Sequence, residues 1–140
     1  YYTTHFSAGM ALFLTGMNPG KLGFFDFMQR DNDYKLKPFD SSVIKGKTIL
    51  DILSNYGFKV GSINVPSTYL PHQINGFIIS GMDTPSDECD YTYPKSLKEE
   101  FKKYLGKYVI DVNYWHYHNE DEFLKDIYFS LKRFKAIHIF

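Results

Sequence analysis

The chain is nearly without cysteine: Cys89 is the only one in 140 residues. One thiol can close no internal disulfide and build no cysteine-rich metal cage, which fits a reducing compartment and makes the cytoplasm the default expectation. Net charge is lacking too, since 16 Lys and Arg balance 16 Asp and Glu. No long-range field recruits nucleic acid or an anionic membrane, so a phosphate site would have to be local. No apolar run approaches the roughly 20 residues that cross a bilayer. Tyr1-Tyr2-Thr3-Thr4-His5 lacks the basic, then apolar, order of a signal peptide. Internal repeats, heptads and low-complexity tracts are absent. The chain starts without Met and stops at Ala136-Ile137-His138-Ile139-Phe140 while still apolar, so it reads as a segment of something longer.

Aromatic bulk is abundant, with 12 Tyr and 13 Phe, and such bulk mostly means core. A hydrophobic share of 44% and a charged share of 23% suit one globular domain over residues 1–140.

Residues 8–14 suit a short buried helix, opened by Ser7 as N-cap and closed near Gly16. A turn-rich stretch follows, and residues 31–42 read as a polar excursion with little regular structure. Thr48 to Tyr56 sets Ile49, Leu50, Ile52, Leu53 and Tyr56 at helical spacing, and Gly57 ends that helix as a left-handed cap. Residues 58–65 and 76–81 are short apolar strands separated by a loop holding Pro66 and Pro71. Ser96 with Glu99 forms a capping signal for a helix bearing Leu97, Phe101, Tyr104 and Leu105 and closed by Gly106. A strand is expected at residues 108–112. Asn119 with Glu122 repeats the capping signal before a helix striped by Phe123, Leu124, Ile127, Tyr128, Leu131 and Phe134. This alternation predicts an α/β fold, a mainly parallel sheet sandwiched by helices, with ligands outside the carboxyl ends of the strands.

Five blocks carry a family resemblance. They are Leu14-Thr15-Gly16-Met17-Asn18-Pro19-Gly20-Lys21-Leu22-Gly23, Lys47-Thr48-Ile49-Leu50-Asp51-Ile52-Leu53, Gly57-Phe58-Lys59-Val60-Gly61, Asn64-Val65-Pro66-Ser67-Thr68-Tyr69-Leu70-Pro71 and Asn75-Gly76-Phe77-Ile78-Ile79-Ser80-Gly81-Met82-Asp83-Thr84-Pro85. In order and spacing they resemble the type I phosphodiesterase and nucleotide pyrophosphatase family of the alkaline phosphatase superfamily, most closely over residues 12–86. The resemblance implies part of an alkaline-phosphatase-like α/β domain. It also implies a phosphoric-ester hydrolase acting on a small phosphoester or nucleotide-like substrate through a Ser or Thr nucleophile. Two divalent metal ions, commonly zinc, would hold that hydroxyl as an alkoxide, and a helix N-terminus would help bind the phosphoryl oxygens.

The sequence departs from the pattern where chemistry is expected. Counting back from Thr15-Gly16, the family's nucleophile falls on Phe6, which has no hydroxyl. Ser7 is the first candidate in its place and Thr4 the second, with capping alone as the other reading of Ser7. The turn's usual His is Leu22, and the family's phosphate-touching Asn falls at Phe27. These departures motivate an alternative: a catalytically degenerate relative that binds a phosphorylated ligand or a partner protein. His5, Lys21, Arg30 and Asn64 are the candidate substrate contacts, since cations and amides near the glycine turn and a strand end suit phosphate oxygens. No metal ligand is assigned, because the family's Asp and His ligands fall outside residues 1–140. His116-Tyr117-His118 beside Glu120 and Asp121 reads as a surface loop, and Cys89 as an inert thiol.

Overall fold

The computed structural model describes residues 6–23, 28–30, 33–38, 41–44, 46–106, 108, 110 and 119–136. Helix α1 (Phe6–Thr15) buries Ala8, Ala11 and Leu14, spaced three apart on one face, and leaves Leu12 and Phe13 to solvent. The Thr15 hydroxyl donates to the Ala11 carbonyl, and Gly16 takes a left-handed φ of 64° just past the helix. A single turn, α2 (Pro19–Leu22), returns Leu22 to the α1 face. Asn18 opens it by accepting the Gly20 amide at 2.7 Å.

The stretch expected to lack regular structure instead holds an antiparallel pair, β1 (Met28–Arg30) and β2 (Leu36–Pro38), followed by a 3₁₀ turn at Ser41–Val43. Tyr34, at φ 60°, lies in the connection, where left-handed backbone lets two short strands turn back on each other. The sequence signal was weak because the strands are only three residues long and carry no alternating pattern.

Helix α3 (Ile49–Asn55) starts as expected, with Thr48 as N-cap in a full capping box with Asp51. Gly57, at φ 86°, follows its end. Strands β3 (Val60–Val65) and β4 (Gly76–Ser80) run parallel, and β5 (Thr92–Tyr93), not expected from the sequence, pairs antiparallel to β4. The three-stranded sheet is therefore mixed, in the order β3-β4-β5, with one parallel pair. This corrects the expectation of a mainly parallel sheet within the described residues, while the α/β class stands.

Alternation along β4 distributes the core. Ile78 packs in a cluster with Val60 and Ile74 against Leu50 and Leu53 of α3. On the other face Ile79 and Phe77 join Tyr91, Leu97, Phe101, Tyr108 and Ile110. Helix α4 (Ser96–Leu105) supplies Leu97 and Phe101 to that face, so α3 and α4 cover opposite sides of the sheet. Ser96 is the first residue of α4 and its N-cap is Lys95, with no side-chain cap bond, so the expected box does not form there. Tyr104 is exposed beneath the Lys103 ammonium and is not core. Of the strand expected at 108–112, Tyr108 and Ile110 are described; both are buried, and Tyr108 stacks on Tyr91 at 5.4 Å.

Helix α5 (Glu120–Ala136) begins after Asn119, whose side chain accepts the Glu122 amide at 2.9 Å. Its expected stripe divides. Phe123 and Ile127 are half-buried, whereas Leu124, Tyr128 and Leu131 are exposed. Among the described residues no helix is long and apolar enough to cross a membrane.

Gly76 and Gly81 flank β4 where strands approach most closely. A Cβ on Gly76 would lie 2.0 Å from the Val60 carbonyl oxygen, at a φ of 144°, and one on Gly81 would lie 2.4 Å from the Val65 oxygen. Gly57 also has positive φ but has open space around its Cβ position. Gly76→Ala is expected to lower stability by roughly 2–4 kcal/mol and Gly57→Ala by about 1 kcal/mol, read by urea unfolding. Equal losses would contradict the close approach.

Candidate functional site at the carboxyl ends of the sheet

The parallel strands end side by side, and the segments leaving them, residues 66–75 and 81–84, meet in a polar network. It begins at Asn64. Ile63 pairs with Ile79 and Val65 with Ser80, so Asn64 is the extra residue of a bulge, at φ 56°. Asn accepts left-handed backbone more readily than most residues, and a bulge re-aims the chain at the strand's end.

Ser67 follows at φ 65°, and Ser67 and Thr68 are buried. The Thr68 hydroxyl donates to the Val65 carbonyl at 2.6 Å and accepts the Gly81 amide at 3.2 Å, while the Ser80 hydroxyl donates to the Thr68 carbonyl at 3.2 Å. Asp83 closes the network. One carboxylate oxygen accepts the Ser67 amide at 3.1 Å and the other the Tyr69 amide at 3.2 Å. Burial pushes the Asp83 carboxyl above its ordinary value, outweighing the backbone amides that pull it down. The proton-linked part of its contribution to stability is therefore full below the ordinary Asp value and is lost as pH rises through the raised folded value, whereas its acceptance of the two amides persists when it is ionised.

A second carboxylate fastens the same crossover from the other side. His72 Nε2 lies 2.6 Å from one oxygen of Asp51. The other oxygen accepts the Thr48 amide at 3.0 Å and the Thr48 hydroxyl at 2.5 Å. Burial pushes Asp51 up, but the bonds from Thr48 and His72 outweigh it and leave the carboxyl below its ordinary value. In a hydroxyl–imidazole–carboxylate relay the imidazole stands in the middle and takes the hydroxyl's proton. Here the carboxylate stands between Thr48 and His72, and His72 Nδ1 is buried without a hydrogen-bond partner. The triplet gives the hydroxyl no base and acts as a fastening. Ser41, whose amide and hydroxyl donate to the carbonyls of Tyr69 and Leu70, and Asn75, whose amide donates to the Ser54 hydroxyl at 2.7 Å, complete the attachment.

The residues singled out from sequence are distributed unevenly. Ser7 lies inside the first turn of α1, which already begins at Phe6, so it is not an N-cap. Thr4, His5 and Phe27 fall outside the described residues, as do residues 116–118 and His138. Lys21 is exposed on α2, and Arg30 is exposed at the end of β1 in the separate two-stranded sheet. Among the described candidates, Asn64 alone sits at the carboxyl end of the main sheet. Leu22 is buried with Ala8, Ala11, Leu14 and Ile44, and Val65 packs against the same cluster. Helix α1, which carries Ser7, is thereby packed together with the end of β3.

No family model matches the chain, and neither a curated protein nor a solved structure matches it. Among the described residues no three His, Cys, Asp or Glu side chains come together to hold a metal ion.

Two grooves lie elsewhere. One of about 350 Å³ runs between α1 and α3 and is lined by Phe13, Leu14, Thr15, Gly16, Ile49 and Ile52, too apolar to hold a phosphoester. The other, about 300 Å³, is bordered by Asp87, Glu88 and Lys102 over the stacked tyrosines. Its two carboxylates disfavour an anion.

Sequence reasoning placed Thr68 with Asn64 at the strand's carboxyl end but missed Asp51, Asp83 and His72 as a group. Asp51 and His72 are 21 positions apart, and neither position carries a local signal beyond the capping box. Cys89 lies partly exposed beside Ser86. Its thiol is held below the ordinary value by the Ser86 hydroxyl first, with Tyr69 and Lys98 adding to the effect.

Asp51→Asn is expected to cost about 1–3 kcal/mol near neutral pH, because the short bond from His72 loses its ionised acceptor. The Asp51 contribution is full above the ordinary Asp value and is lost as pH falls through the depressed folded value. The gap between wild type and variant should therefore close toward acid in urea unfolding at stepped pH. A gap independent of pH would show that Asp51 is not the ionised partner.

Proposed function

We propose that this chain is the central part of a metal-dependent phosphoric-ester hydrolase, a phosphodiesterase or phosphatase with an alkaline-phosphatase-like fold. Its substrate is a small phosphoester or nucleotide-like molecule. The five ordered sequence blocks motivate the reading. The observation that carries it is that Val65, at the carboxyl end of β3, packs against the cluster in which α1 buries Ala8, Ala11 and Leu14 with Leu22 and Ile44, because a nucleophile on the first turn of α1 needs strand-end loops beside it. Asn64 on its bulge would then face substrate, with Lys21 on the neighbouring turn. Ser7 is the first choice of nucleophile and Thr4 the second, and their neighbour His5 contacts substrate. The two divalent metals, zinc in this reading, draw their ligands from outside the described residues, and Arg30 is the least supported of the contacts.

One observation favours the second reading, a degenerate relative that holds a phosphorylated ligand or partner protein without turnover. Leu22, standing where the family's turn has His, is 6% exposed and part of the α1 core. That position has been given to packing.

The test is zinc-dependent hydrolysis of a chromogenic phosphodiester by the intact protein, with Ser7→Ala and Thr4→Ala made separately. One of them should lose roughly a thousandfold or more in kcat, as removal of a nucleophile does. Full activity in both would reject the nucleophile assignment. Calorimetry showing a phosphoester held without metal and without product would select the degenerate relative.

A further inference from the structure

Asp83 is an unusual place for a charge. Its two oxygens are divided between the amides of Ser67 and Tyr69, at 3.1 and 3.2 Å, and among the described residues no cation pairs with it. Folding raises its pKa because desolvation outweighs those bonds. The loop it serves presents two main-chain amides, of Ser67 and Tyr69, to a single carboxylate. Left-handed backbone at Ser67 turns amides of neighbouring residues toward one point, the geometry by which a main chain binds an oxyanion. Buried hydroxyls of Thr68 and Ser80 and the amide of Gly81 lie in the same network. The cradle stands at the carboxyl end of a parallel strand pair, next to the Asn64 bulge. It belongs to one segment, residues 66–69, and its occupant to another, residues 81–84, so occupant and cradle separate if the two segments part.

We propose that the Ser67–Tyr69 loop is an oxyanion-binding cradle whose resident anion is the protein's own Asp83 carboxylate, an autoinhibitory contact that a phosphoryl group displaces. Two amides can donate to the oxygens of a phosphate as well as to those of a carboxylate. A phosphoester bound there would release the Asp83 carboxylate toward solvent, relieving its desolvation. No bond is made or broken in the exchange. Phosphate as the ligand class rests on the hydrolase reading, whereas the cradle itself does not.

Inorganic phosphate is the probe, applied to the whole chain at neutral pH with chloride of matched ionic strength as reference. Asp83→Ala empties the cradle and should melt about 5 °C lower than wild type in chloride. At about 50 mM phosphate it should regain at least half of that loss, while wild type gains little, since a ligand stabilises only the state that binds it. Should Asp83→Ala fail to fold, Asp83→Asn serves instead: it keeps one acceptor but turns an NH₂ toward an amide, so it too should gain more from phosphate than wild type. In wild type, the ¹⁵N-amide signals of Ser67 and Tyr69 should shift and saturate as phosphate is added. A phosphate gain in the variant no larger than in wild type would overturn the cradle. Unmoved Ser67 and Tyr69 signals in wild type would overturn displacement. Neither readout measures hydrolysis, so an inactive enzyme and an absent cradle remain distinguishable.

Discussion

Two parallel strands cannot be joined by a tight turn, and in most α/β folds a helix makes the crossing and satisfies its own backbone. Here β3 returns to β4 through residues 66–75 without a helix, so the polar groups of that segment must find partners in side chains. Nearly everything of interest in the molecule follows from this constraint. Asp83 takes two amides, Ser41 donates to two carbonyls, the hydroxyl of Thr68 ties both strand ends, and Asp51 holds His72. The two carboxylates do this under opposite conditions. Thr48 and His72 surround Asp51 with donors that favour its charge, whereas Asp83 has its own amide and those of Tyr69 and Ser67 against its desolvation.

The same constraint explains the glycines and the bulge. Strand ends drawn together by short polar bridges leave no room for a Cβ at Gly76 or Gly81. Asn64 absorbs the mismatch in length between the strands as an extra residue. The sheet is thus fixed by its ends as much as by its faces. The faces are conventional, with α3 and α4 on opposite sides and alternate residues of β4 shared between them.

The sequence made the local elements legible. Helix α3, strands β3 and β4, and the Asn119 cap before α5 all stand where periodicity and capping chemistry set them, whereas the Thr48–Asp51 box went unread. Strand β5 and the β1–β2 pair went unseen because two- and three-residue strands carry too few side chains for a pattern and exist by pairing alone. The mixed sheet follows from β5. Apolar spacing over-read the helices, since Ile52, Tyr104 and Tyr128 are exposed. The site was the least legible part. Asn64 could be placed at a strand end because the apolar run of residues 58–65 closes there, but Asp83 and His72 acquire their roles only when the two crossover segments meet in space.

The account depends on side chains replacing a helix in the crossover. Amide hydrogen exchange of Ser67, Tyr69 and Asn75 measures this most directly, because their partners are Asp83 and Ser54 side chains and no regular element protects them. Protection within about tenfold of that for the β4 amides, lost together with them on global unfolding, is the predicted result. Exchange at the rate of an open surface loop while β4 stays protected would contradict it.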